Sequence, residues 1–214
     1  MNVRPKELPH REFYRLLITA VAPRPIAWVS TINPDGDHNL APFSFFNVLS
    51  ATPPLVGFSP GIRPKEIREA LGSAVKDTLR NVRQTGEFVV NVVTYALAEQ
   101  MNLTSGEYEA GVNEFEVAKL TMRPSAIVRP PQVAESPVNF ECKIFQIIDF
   151  GTESAGYSLV MGEIVSIHLA DEVLRDGRID PELLDLVGRM GGSQYTRTRD
   201  RFVMERPGLK LTQR

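Results

Sequence analysis

Three short stretches of the 214-residue chain carry side chains suited to holding a ligand. Lys76-Asp77-Thr78 opens a segment with helical spacing. A helix N-terminus presents unpaired N–H groups and the positive end of the macrodipole, so an ammonium and a hydroxyl placed there could seat a phosphate. The same three residues also read as a capped, solvated helix start, with Asp77 or Ser73 as the N-cap. Ala41-Pro-Phe-Ser-Phe-Phe-Asn47 combines aromatic surface with small polar side chains, which suits a flat ligand with polar edges, such as a conjugated ring. Arg24 stands between Pro23 and Pro25. Prolines drive their predecessors out of the helical region, so its guanidinium rides on a stiff, extended segment and is aimed, at a ligand or at a salt bridge. Ser59, in Ser59-Pro-Gly61, reads as turn chemistry.

Other chemistry is missing. The chain has no G-x-G-x-x-G, no G-x-x-x-x-G-K-[ST], no H-E-x-x-H and no G-x-S-x-G, so dinucleotide-fold, NTP, zinc and hydrolase readings lose their usual support. His10, His38 and His168 are too scattered to suggest a metal site. No side-chain nucleophile or acid–base pair stands out, and a cofactor that brings its own reactivity is the better explanation.

These stretches hang on a mainly β framework. Ile26–Ile32 is a strand by its β-branched and aromatic content, and Asn33-Pro-Asp-Gly36 is a hairpin turn. A period of two puts Ile26, Trp28, Ser30 and Ile32 on one face and Ala27, Val29 and Thr31 on the other, with Trp28 in the core. Ser30 and Thr31 can share one pocket only if the strand ends there. Pro42, on the returning strand, marks an edge or a bulge. Leu55–Phe58, Glu87–Thr94, Val138–Asp149 and Tyr157–His168 read as further strands, the last two antiparallel across a turn at Gly151–Gly156. Asn91, inside an apolar run, needs buried partners. Arg63–Leu71, the segment from Lys76, Ala96–Leu103 and the stretch after Asp180-Pro181 read as helices. Residues 1–15 read as a charged arm with one helical turn, and the last residues as a basic tail. Arg189-Met-Gly-Gly-Ser-Gln-Tyr195 is a loop whose glycines let its backbone approach another element.

Composition bounds the rest. Hydrophobic residues make up 43% and charged residues 23%, with a net charge of -2, so no basic field points to nucleic acid or an anionic membrane. The single cysteine, Cys142, excludes an internal disulfide and fits a reducing cytosol as a buried small hydrophobe. No signal peptide and no membrane-length apolar run stand out, so a cytoplasmic protein is expected, with residues 1–214 forming one domain.

Taken together, Pro23–Thr31, Asn39–Asn47, Pro53-Pro54, Lys76–Thr78, Phe140–Cys142, Gly162–Val165 and Arg189–Tyr195 resemble, in family order, the flavin reductase-like, FMN-binding split-barrel family that includes flavoredoxin. The resemblance covers about 20–200 of the chain and implies an antiparallel Greek-key split β-barrel with peripheral helices. It implies a homodimer with FMN near the subunit interface, and chemistry carried by the flavin with no catalytic side chain. By position, Ser44, Phe45, Phe46 and Asn47 would line the isoalloxazine. Arg24, Ser30, Thr31, Ser59, Lys76, Asp77 and Thr78 would surround the ribityl chain and phosphate, while the loop bearing Arg189 and Tyr195 would close one side. The activity implied is hydride delivery from NADH or NADPH to the flavin, with electrons passed to a second flavin, a redox partner protein or a small acceptor. An electron carrier reduced by a partner protein and a non-catalytic binding module are the alternatives.

Overall fold

The computed structural model describes residues 2–152 and 156–208. Its main sheet is seven-stranded and antiparallel: β1 (Ala27–Ile32), β2 (His38–Phe43), β3 (Phe46–Ala51), β4 (Pro54–Phe58) and β5 (Glu87–Val92), then, after a small pair β6 (Met122–Arg123) and β7 (Gln132–Val133), the long hairpin β8 (Val138–Phe150) and β9 (Tyr157–Leu169). The spatial order is β2-β1-β5-β8-β9-β4-β3. Its two ends are consecutive in the chain, linked by Ser44 and Phe45 alone. A flat sheet of this width would span about 29 Å, whereas the link from Phe43 to Phe46 reaches at most about 11 Å. The sheet therefore curls until its ends approach, and the Phe43 and Phe58 rings lie 5.1 Å apart. Among the described residues no ladder joins β2 to β3, so the barrel is split at that point.

β1 is buried on both faces, and its alternation follows the sequence reading. Ala27 and Val29 face a core with Val56, Phe58, Phe88, Cys142 and Val160, which α3 (Asp77–Thr85) joins through Leu79 and Val82. Ile26 and Trp28 face a second cluster with Met101, Phe115, Val133 and Val187. Trp28 is fully buried, and its indole N–H donates to Thr104 Oγ1 at 2.8 Å. Gly162 is obligatory on β9, because a Cβ there would stand 2.3 Å from the Phe88 ring. Asn91 is fully satisfied: its amide donates to the Trp28 carbonyl and to Ser30 Oγ, and its oxygen accepts from Val133 N and Asn139 Nδ2. Glu141, also buried, accepts from Ala126, Ile127 and Val128 N–H groups and from Gln132, folding the proline-rich stretch over β8.

Outside the sheet lie α1 (His10–Ala20), α2 (Lys65–Leu71), α4 (Ala98–Leu103), α5 (Glu114–Val117) and α6 (Pro181–Leu184). Two further small pairs are β10 (Leu174–Arg175) with β11 (Arg178–Ile179), and β12 (Val187–Arg189) with β13 (Tyr195–Arg197). Asp180 caps α6 as its sequence signal implies, accepting from Glu182 N and Leu183 N. No described helix is long and apolar enough to cross a membrane.

Two local expectations are corrected, and a third is narrowed to one of its alternatives. Residues 10–20 form one continuous helix where an arm with a single turn was expected. Ile18, the helix's buried residue, anchors it, and Tyr14, four residues earlier on the same stripe, turns its ring toward Phe45. The N-cap of α3 is Lys76, and neither Asp77 nor Ser73 plays that part. Asp77 is the first helical residue, its carboxylate drawn away to Arg63 at 2.6 Å and to Arg80. Pro42 makes no bulge, since β1 and β2 pair without interruption from Ala27–Phe43 to Ile32–His38. Of the two readings of Pro42, the edge holds: β2 ends the sheet, and the irregularities in register lie elsewhere, in β3 between Val48 and Ser50 and in the β8–β9 hairpin. The expected Gly151–Gly156 turn includes residues 153–155, and the basic tail includes residues 209–214; both sets lie outside the described residues.

Candidate functional site

The split in the barrel is where the chain leaves β2, and Ser44 and Phe45 are its lip. The Phe45 carbonyl accepts from Ser59 N at 2.8 Å, tying the lip to the end of β4. Two cavities open here and meet at Tyr14, Pro42 and Ser44. One, of about 300 Å³, is lined by Arg24, Ser105, Arg189 and Tyr195 among others. The second, of about 240 Å³, is lined by Phe45, Ser59, Lys76 and Tyr157 among others. Its walls are aromatic: the Phe45 and Tyr157 rings stack 5.7 Å apart at 25°, and the Tyr14 ring lies 6.4 Å from Phe45. Burial, with Tyr14 adding to it, raises the Tyr157 phenol above its ordinary pKa, so it stays a neutral donor near pH 7.

Arg24 is aimed, as the flanking prolines require, but at protein. Its guanidinium donates to the carbonyls of Ile18, Val21 (2.6 Å) and Met190 (2.9 Å), and its Nε to Ser44 Oγ at 3.4 Å. Those carbonyls include the unpaired end of α1, so the buried Arg24 closes that helix and braces it against the loop after β12 and against the lip. Backbone bonds between Arg24 and Arg189, of 2.8 and 2.9 Å, complete the brace. Of the loop's two glycines, Gly191 does what the sequence suggested, and the element approached is α1, while Gly192 adopts a left-handed backbone (φ +60) with open space around it. A Cβ on Gly191 would lie 2.7 Å from Thr19 Oγ1. Arg189 itself sits over the Tyr195 ring at 4.4 Å and donates to the Gly192 carbonyl.

Lys76 belongs to a chain of alternating charges. Its Nζ bonds Glu107 Oε1 at 2.7 Å; Glu107 Oε2 accepts from Arg63 Nε at 3.0 Å; and Arg63 passes on to Asp77, which also holds Arg80. Thr78, two residues on, turns inward: it is buried and its hydroxyl accepts from Asn39 Nδ2 at 2.9 Å.

The cavities thus gather Arg24, Ser44, Phe45, Ser59, Lys76, Arg189 and Tyr195 from the sequence-derived set. The others lie apart from the lining. Ser30 and Thr31 are fully buried on opposite faces of β1, Ser30 donating to the Pro131 carbonyl at 2.5 Å and Thr31 accepting from Asn81 at 3.1 Å. Phe46 packs against the barrel core, the Asn47 side chain folds onto the N–H of Val48, and Asp77 is engaged with its arginines. Sequence reasoning passed over Tyr14, Glu107 and Tyr157. Tyr14 was legible in the four-residue spacing to Ile18; Glu107 and Tyr157 are brought in only by tertiary contacts.

A flat, polar-edged group with an anionic end fits this lining. The aromatic walls and hydroxyls suit a flavin ring system, and Lys76 and Ser59, in the same cavity as Phe45, suit a phosphate. The flavin reductase like domain matches residues 20–192, most of the chain. The protein belongs to this family. A Halalkalibacterium halodurans relative, uncharacterized protein BH2278, is 41% identical over 98% of both chains. Among solved structures, nitrilotriacetate monooxygenase component B from Bacillus cereus is similar with a TM-score of 0.86 and 32% identity, over 95% of this chain and 98% of that one. The 2-nitrobenzoate 2-nitroreductase NbaA of Pseudomonas fluorescens is similar with a TM-score of 0.83 and 32% identity, over 97% and 96%. As a flavin reductase-like protein the chain has the split barrel, and its paired cavities lie at the split.

Proposed function

We propose that this flavin reductase-like chain is an FMN-dependent oxidoreductase that takes hydride from NADH or NADPH and passes electrons to a second flavin, a partner protein or a small acceptor. The observation carrying this is the joined pair of cavities at Ser44, which sets aromatic walls beside a lysine. FMN, when bound, supplies a ring that accepts a hydride and gives up electrons, so no side chain need react. The chain's own residues bind and orient. Lys76 holds the phosphate, Ser44 and Ser59 offer hydroxyls, and Phe45 and Tyr157 wall the slot and exclude water. Arg24 keeps α1 and the loop of Arg189 and Tyr195 in place around it.

The protein acts as a homodimer of one-domain chains in the cytoplasm. In support, the outer sheet surface exposes large apolar side chains, among them Val48 (64%), Phe145 (54%) and Ile167 (52%), which a second copy would cover. The two solved relatives, a monooxygenase component and a nitroreductase, point to a partner protein or a nitroaromatic as acceptor classes.

The test is an anaerobic titration of FMN-saturated protein with NADH and, separately, NADPH. The flavin band at about 450 nm is expected to bleach with at least one of them, and turnover to follow on adding a flavin acceptor. A band unchanged by both would leave the nicotinamide role without support.

A further inference from the structure

The lysine best placed for the cofactor's phosphate already holds a carboxylate. Lys76 Nζ and Glu107 Oε1 are 2.7 Å apart, with both side chains about a third exposed (30% and 27%). Glu107 is no wandering surface group. Its second oxygen is pinned by Arg63 Nε at 3.0 Å, and Arg63 is buried and fixed in turn by the Val75 carbonyl and by Asp77, each at 2.6 Å. Burial works to raise the Glu107 pKa, yet its bonds to Lys76 and Arg63 hold it below the usual carboxylate range, so it is ionised near neutrality. The charges in the chain are Arg63, Lys76 and Arg80 against Asp77 and Glu107, a surplus of a single positive charge. A phosphate monoester carries nearly two negative charges near pH 7.

We propose that Glu107 sets how strongly the site prefers a phosphorylated flavin to an unphosphorylated one, by occupying Lys76 in the phosphate's place and repelling the dianion brought to it. This rests on the FMN reading above. A free cofactor phosphate must share Lys76 with Glu107 or displace it, while Arg63 keeps the carboxylate close in either case. The consequence is a flavin held less tightly than Lys76 alone would hold it. Removing the negative charge from residue 107 frees Lys76 and raises the local surplus to match the dianion.

The experiment compares dissociation constants for FMN and riboflavin, measured by flavin fluorescence on the full chain without any nicotinamide. Glu107→Gln is expected to tighten FMN about tenfold, with the gain shrinking as salt is added, and to leave riboflavin within about twofold. Lys76→Ala is expected to bring FMN close to riboflavin, whereas Arg83→Ala, whose residue pairs with Asp149 elsewhere, leaves the preference intact. Should Glu107→Gln fail to fold, Glu107→Asp keeps the charge but withdraws it from Lys76, with an expected gain of about threefold for FMN alone. Equal shifts for the two flavins, or a selective loss of FMN, would overturn the proposal and make Glu107 a support for Lys76 or its loop. A wild type and a Glu107→Gln variant that both fail to distinguish FMN from riboflavin would sink the phosphate seat itself. A wild type that distinguishes them, a Lys76→Ala that does not, and an unresponsive Glu107→Gln would sink only the role given to Glu107.

Discussion

In the middle of the sheet Ser30 and Asn91 are fully buried, and each is bonded to other parts of the protein. Ser44, Phe45 and Ser59, at the gap between β2 and β3, line a cavity instead. The residue types are alike; the difference is whether strands flank them on both sides. A polar group between two ladders is cut off from water and must find its partner within the fold, so it is committed to stability. A polar group where a ladder stops keeps capacity for a ligand. The split is therefore where a barrel can hold a cofactor without opening its core.

The most severe way to break the central region is Asn91→Ala. It removes the partner of Val133 N, one of the two acceptors of the Asn139 amide and the donor to the Trp28 carbonyl at once, and unfolding in urea should show a loss of about 4 kcal/mol. A loss under about 1 kcal/mol would mean that water takes over these bonds and that the central network is not committed as described.

The edge strand offers a second, pH-dependent test. Glu114 on α5 accepts from the N–H of Leu40 on β2 at 2.9 Å, and burial pushes its pKa from 4.5 up to about 7 despite that bond. A carboxyl with a raised folded-state pKa binds its proton more tightly when folded, so its contribution is full below about pH 4.5 and is lost as pH rises through about 7. Between those limits the loss from this group amounts to about 3 kcal/mol. Glu114→Gln should accordingly flatten the fall of thermal stability between pH 5 and 8 and be the more stable protein at the alkaline end. Parallel wild-type and variant curves would remove Glu114 from the account of that edge.

The smallest effects sharpen the comparison most. Ser30→Ala should lower stability by about 1 kcal/mol, by orphaning the Pro131 carbonyl, and leave FMN affinity within about twofold. Ser44→Ala should weight the two effects the other way, weakening FMN about threefold and costing stability no more than the long 3.4 Å bond from Arg24 Nε, under about 0.5 kcal/mol. Fluorescence titration and urea unfolding of the pair decide it. A Ser30 variant that loses FMN and keeps its stability would move the ligand into the sheet.

Much of the framework was legible because its causes are local. The Asn33–Gly36 turn, closed by Asn33 and Asp37 bonding across it, fixes the β1–β2 hairpin wherever the rest of the chain goes. The alternation from Ile26 to Thr31 places Trp28 and Val29 on opposite faces, and both are buried there. The site was legible only as a set of residue types. Ser30 and Ser44 look equivalent in sequence, and their difference comes from Pro131, 101 residues away from Ser30. Lys76 was visible as a cation; the carboxylate standing on it comes from 31 residues further on.

The sequence by itself determined the strands of the main sheet other than β3, the faces of β1, the family and the stretches that could touch a flat anionic cofactor, because period, turn chemistry and motif are properties of neighbouring residues. Only the tertiary structure decided which hydroxyls are spent on the core, that Arg24 braces α1 and the lip, and that Glu107 shares Lys76. Those outcomes depend on which distant groups arrive first at a hydrogen-bonding atom with few places to fill, and spacing along the chain carries no record of that competition.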